Sequence, residues 1–166
     1  MKSLPKASPS SRGKFLGPRF RILPELVAGA RLRVEMEIPS DLKFVGPVAA
    51  YFSRLAREHN FPEKVWAENL PLTLDEAVTN AIRHGNGLDA AKTVRLDCRL
   101  SDGELEISVE DEGSGFDPDL LPDPREGDSL YRTSGRGVFL IRKLCHDVRY
   151  EADGSRAVLI YRSESD

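Results

Sequence analysis

Cysteine is scarce in this 166-residue sequence and tryptophan scarcer still, with two of the first and one of the second. Cys98 and Cys145 stand far apart, with neither the spacing of a zinc site nor that of a redox dithiol, which removes a disulfide framework and a zinc module. No apolar run approaches the ~18 residues that would cross a bilayer, and no secretory leader is recognisable. The expected home is a reducing cytoplasm, with no membrane partner. His59, His84 and His146 are scattered, and surface or core places suit them better than a metal site. The commoner nucleotide signatures are missing as well. No Gly-Lys-Ser/Thr phosphate loop occurs, Pro118 stands where a dinucleotide fingerprint beginning at Gly113 needs its third glycine, and the protein-kinase catalytic signature is absent. A net charge of -3, from 24 basic and 27 acidic residues, gives no global attraction to nucleic acid, so no direct nucleic-acid partner is expected.

What is present is unevenly spread. Across the first 33 residues Lys2, Lys6, Arg12, Lys14, Arg19, Arg21, Arg31 and Arg33 are opposed by Glu25 alone. Residues 1–28, rich in Ser, Pro, Gly and basic side chains without periodicity, read as a flexible arm that buries too little apolar area to offset its ordering entropy. Its charge is either a weak attraction to an acidic partner or to nucleic acid, or that of a solvated tail, and nothing aromatic is arranged there to read bases. Residues 29–166 are then one domain, for which 40% hydrophobic content is sufficient.

Alternation predicts the strands. Leu32, Val34, Met36 and Ile38 alternate with charge, giving a first strand at an expected sheet edge. Residues 93–100 and 104–110 alternate around Ser101-Asp102-Gly103, a hairpin, and residues 148–152 and 157–162 form a second one around Asp153-Gly154. Helical spacing predicts a helix from Asp41 to about Asn60 with Leu42, Val45, Val48, Ala49, Phe52, Leu55 and Ala56 along its buried face. Another begins near Pro62 and meets a third at Pro71 as a kink or a break, and a last helix opens at Ser134. Residues 117–134 are polar and punctuated by Pro and Gly, long enough to be a lid. The order implies an α+β two-layer sandwich, a mostly antiparallel sheet covered on one face by helices.

The helix after Pro71 carries the chemistry. Leu74, Ala77, Val78, Ala81 and Ile82 make a buried stripe, while Glu76 and Asn80 share an edge well away from it on the other side of the helix, and Gly85 and Gly87 supply a stop. Thr73-x-x-Glu76 also fits a capping box, in which Glu76 would bond the backbone at the helix start and have no chemical role. Asp111, ahead of Gly113 and Gly115 at the end of a strand, offers a carboxylate acceptor suited to an exocyclic amine. Gly135-Arg136-Gly137 exposes backbone N–H groups at a helix N-terminus, where phosphate is favoured.

Taken together, Glu76-x-x-x-Asn80, Asp111-x-Gly113-x-Gly115 and Gly135-x-Gly137 resemble the N box and the two glycine boxes of the GHKL (histidine-kinase-like) ATPase superfamily. Within it, residues 75–85 and 134–144 look most like the anti-sigma-factor serine/threonine-protein kinases, and the likeness covers about residues 31–162. The resemblance implies the Bergerat fold, with ATP and Mg2+ as cofactors. Glu76 would be the general base and Asn80 the Mg2+ ligand. Asp111 would bind the adenine amine, with Gly113, Gly115 and Phe116 about the base, while Thr133, Ser134, Gly135, Arg136, Gly137 and Val138 would flank the phosphates and His84 would complete the nucleotide set. It also implies partner switching between a sigma factor and an anti-anti-sigma (STAS-type) protein, and a homodimer, for which the alternating first strand is a reasonable pairing edge. A nucleotide-binding module that sequesters a partner without phosphotransfer is the alternative.

Overall fold

Every second side chain of four consecutive-neighbour strands is apolar, and in register these side chains form continuous rows. Val34 lies opposite Cys98, Cys98 opposite Ile107, and Ile107 opposite Leu159. All four are fully buried. Cys98 is therefore a small core hydrophobe, and burial pushes its thiol well up. The computed structural model describes residues 17–23, 30–117 and 136–163. Its strands are β1 (Arg19–Leu23), β2 (Ala30–Pro39), β3 (Thr93–Ser101), β4 (Glu104–Glu110), β5 (Asp147–Glu151) and β6 (Arg156–Arg162). They make one six-stranded sheet in the order β1-β2-β3-β4-β6-β5, every pairing antiparallel.

Three helices, α1 (Val45–Glu58), α2 (Leu70–Asn80) and α3 (Arg136–Leu144), form the second layer, with α2 between the other two. Of the stripe read from the sequence, Val45, Val48, Ala49, Phe52, Leu55 and Ala56 are buried along α1. Leu42 lies instead in a 3-10 turn, Leu42–Phe44, and is only partly buried, so the α-helix begins at Val45 rather than at Asp41. Phe52 alone, fully enclosed, stabilises the interface by about 1.5–3 kcal/mol. Asp41 caps the short 3-10 turn that leads in, its carboxylate accepting from the Lys43 N–H at 3.0 Å. The other face of the sheet is charged and laced with ion pairs, such as Arg33 to Asp97 and Arg149 to Glu106 at 2.7 Å. The α+β sandwich expected from the element order is the fold observed.

Two expectations are corrected. Arg19–Leu23, assigned to the flexible arm, is a strand paired with β2, Ile22 opposite Val34; residues 1–16 lie outside the described residues. Ile22 stays 55% exposed, and the strand is joined to β2 by backbone pairing and by the Arg21–Glu35 ion pair at 3.9 Å. Consequently β2 is not an edge strand, since β1 pairs with its Arg33–Glu37 stretch. Pro71, in turn, does not break the chain into two helices. A π turn at Val65–Asn69 runs straight into α2, with the Leu70 N–H donating to the Val65 carbonyl. The wider turn accommodates the missing N–H and the ring that an α register would drive into the preceding turn.

That continuity also removes the capping box. Thr73 is buried inside α2, its hydroxyl bonding the Asn69 carbonyl at 2.7 Å and the Tyr161 hydroxyl across the core. Glu76 is thus three residues beyond an interior threonine, with its carboxylate left for other work.

Candidate nucleotide site

The buried stripe of α2 fixes the helix on the sheet, which sets where its remaining side chains point. Glu76 and Asn80 come out half-buried beside that stripe rather than on the far side of the helix. With Ala77, Ala81 and His84 they line a cavity of about 250 Å³ between α2, α3 and the ends of β4 and β6. The two alanines leave room where larger side chains would fill it. A second π turn, Ala81–Gly85, ends the helix, and at its last residue the next part of the site begins.

Gly85 lies directly against the Asp111 carboxylate; a Cβ there would overlap it. Gly113 packs on the Gly85 carbonyl in the same way. The Gly113 N–H donates to Asp111 Oδ1 at 2.8 Å, and the Asp111 N–H donates to the Ser155 carbonyl at 3.0 Å. Asn86, 2% exposed, ties these pieces together. Its Nδ2 donates to the Thr93 carbonyl and its Oδ1 accepts from the Glu112 N–H, both at 2.8 Å. One buried amide thereby joins the end of the Glu76 helix to the start of β3 and to the loop that carries Asp111.

At the other end of the cavity α3 approaches α2 at Gly137. A Cβ on Gly137 would overlap the Glu76 carboxylate and lie 3.2 Å from the Asn80 amide. Glycine is needed for that approach. Val138 and Ile141, both nearly enclosed, continue the wall. Burial raises the pKa of Glu76, with a further push from the Asp75 charge. Burial also raises that of Asp111, against which the Gly113 N–H and Lys92 pull it down. The cavity thus has a carboxylate of enhanced basicity at each end, one beside a glycine-opened helix terminus and the other beside a glycine-lined loop. A larger cleft of about 520 Å³ lies on the charged face of the sheet around Arg95, Asp97 and Arg156, and it contains none of the glycine motifs.

Residues 38–162 match the family of the histidine kinase-like ATPase domain, three quarters of the chain's length. The chain belongs to that family. It is also similar to proteins named serine-protein kinase RsbW from three bacteria. With that of Oceanobacillus iheyensis it shares 27% identity over 122 residues, 70% of this chain and 77% of that protein. With that of Listeria monocytogenes the identity is 25% over 134 residues, 77% and 85% of the two chains. For Bacillus subtilis it is 28% over 124 residues, 71% and 77%.

In this histidine kinase-like ATPase domain the expected site residues divide into three groups. Glu76, Asn80, His84, Asp111, Gly115, Phe116, Gly137 and Val138 are brought together on one cavity. Gly113 stands behind Asp111 against Gly85, and Arg136 is exposed at the start of α3; neither lines the cavity. Thr133, Ser134 and Gly135, with most of the expected lid, lie outside the described residues. Tyr150, Gly154 and Ser155 also line the cavity and Asn86 braces it, though none belongs to a motif. Gly85 abuts Asp111, while the stopping role belongs to Gly87 with its φ of 64°. The one available signal was a Gly85-Asn86 pair that ends a helix before any left-handed residue is needed.

Proposed function

We propose that this ATPase-family chain is an ATP-dependent protein-serine kinase acting as an anti-sigma regulator by partner switching, a reading that rests on Glu76 and Asn80 meeting Gly137 at one end of a cavity whose other end is Asp111. Asp111 accepts a hydrogen bond from the adenine amino group, and the triphosphate runs toward Gly137. Glu76 takes the proton from a serine hydroxyl of the partner protein. The serine oxygen bonds to the γ-phosphorus, the bond from that phosphorus to the β–γ bridging oxygen breaks, and ADP leaves with the electron pair. A raised pKa suits Glu76 to this step, since a base that holds its proton more tightly draws one more strongly from a hydroxyl.

Mg2+ fits the donor set. Among the described residues no group of three or more His, Cys, Asp or Glu could hold a metal on its own. A single amide oxygen, Asn80 Oδ1, suits an ion that keeps several waters and takes its other ligands from phosphate. Bound there, Mg2+ would neutralise charge on the phosphates. The proposed partners are a sigma factor, which the kinase sequesters, and a STAS-type anti-anti-sigma protein, which it phosphorylates; they are inferred from the resemblance of residues 75–85 and 134–144 to the anti-sigma-factor kinases. Two copies are proposed to associate in the cytoplasm, with β1 and β5 as the sheet edges available. No helix among the described residues is long and apolar enough to cross a membrane.

The test is phosphotransfer. Purified protein with Mg-ATP should label a serine on its cognate anti-anti-sigma protein, and Glu76→Ala should slow transfer about 10²–10⁴-fold while ATP still binds. ATP binding with no transfer to any cognate partner would leave a sequestering module, and no ATP binding would remove the nucleotide reading altogether.

A further inference from the structure

The link between β5 and β6 is unusual in its backbone. Ala152, Asp153 and Gly154 take φ values of 50°, 54° and 89°, three left-handed residues in succession, two of them not glycine. Such conformations persist only where surrounding structure enforces them, and they collect at working sites. Here the enforcing contact is visible. A Cβ on Gly154 would overlap the Phe116 carbonyl, and a Cβ on Gly115, itself at φ 74°, would overlap the Asp153 carbonyl. The loop leaving β4 and the β5–β6 turn are thus interlocked glycine to carbonyl in both directions.

The interlock fixes a side chain as well. Phe116 remains 38% exposed and meets Tyr150 edge to face, ring centroids 5.6 Å apart and planes at 69°. Both rings line the cavity that holds Asp111. The Tyr150 hydroxyl is buried without a hydrogen-bond partner, so what Tyr150 contributes at this position is its ring.

We infer that the β5–β6 turn is a positioning device for a nucleotide base: through Gly154 it holds Phe116 against Tyr150 as an aromatic wall of the cavity, so that Gly154 and Tyr150 set the affinity for purine nucleotides. The inference rests on the nucleotide reading of the cavity and adds residues that no glycine motif includes. Asp111 selects the base by its amine; the wall supplies π surface, which any purine can use.

ATP affinity, measured by titration calorimetry on the full chain, tests it. Tyr150→Leu should weaken ATP about tenfold, as loss of a base-stacking ring does, and Tyr150→Phe should restore most of that loss. Gly154→Ala should weaken ATP to a similar degree, and Gly154→Ala with Phe116→Ala should lose no more than the worse single variant. Gly103→Ala is the control. Its φ of 77° makes it equally strained, but it lies in the β3–β4 turn with only the Ser163 side chain near, so it should lower the melting temperature and leave ATP affinity alone. Wild-type affinity in Tyr150→Leu or in Gly154→Ala would overturn the wall while leaving the site a nucleotide site; should Gly154→Ala fail to fold, the Tyr150 pair decides. A wild-type chain that does not bind ATP would overturn the nucleotide reading itself.

Discussion

In its proposed role as the base, Glu76 sets stability against function in a way that can be measured. Its pKa is raised, so between the ordinary carboxylate value and the raised one the folded state binds more protons than the unfolded state, and stability falls as pH rises. The cost is fully present above the raised pKa and absent below the ordinary one. Glu76→Gln should therefore raise the melting temperature at neutral pH, with the gain fading as pH falls below the usual glutamate range, and it should abolish transfer. Thermal scans from acid to neutral pH check the sign; a gain that grows in acid would show that burial is not what perturbs Glu76. The same shift places the acid limb of the transfer-rate profile above the ordinary carboxylate range. Asp111→Asn should weaken ATP by about 1–3 kcal/mol, the loss of a charged hydrogen bond, with equal affinity removing Asp111 from the pocket. At this scale the sequence pointed to Glu76, Asn80 and Asp111, which the fold brings to one cavity. It was silent at Asn86 and Gly85, because their partners, the Glu112 N–H and the Asp111 carboxylate, come from a distant segment.

Elements held by side-chain periodicity were legible. The α1 stripe, the β3–β4 hairpin and the apolar rows of the sheet follow from repeats of 3.6 and 2. Others were not: β1 is five residues long and keeps Ile22 exposed, and the two π turns that bracket α2 leave no mark in the apolar pattern. Joints between elements were equally hidden, and Asn86 is the one with most at stake. Truncating it leaves the Thr93 carbonyl and the Glu112 N–H without a buried partner, at a cost of about 1–3 kcal/mol each at most. Asn86→Ala should thus lower the melting temperature and also weaken ATP, because the loop bearing Asp111 loses its tie to the end of the Glu76 helix. Chemical denaturation and ATP titration on the same variant separate the two effects; lost stability with unchanged affinity would make Asn86 a purely structural residue.

For the molecule as a whole, the sheet order places the nucleotide cavity and β1 on opposite sides. The cavity draws on Val109 of β4, Ala157 of β6 and Tyr150 of β5, whereas β1 covers the far side of β2. Removing residues 1–23 should therefore affect association rather than nucleotide binding. It bares the outer edge of β2, ten residues long and alternating in burial, a template for pairing with another chain. Light scattering after gel filtration should find the truncated protein in larger species than the full chain, while its ATP affinity stays within about twofold, since sites that share no contacts behave independently. A truncated protein of unchanged size would mean that β1 does not protect that edge. A truncated protein that lost ATP would mean that the two ends of the sheet are coupled through β3 and β4, and the division of labour across the sheet would have to be redrawn.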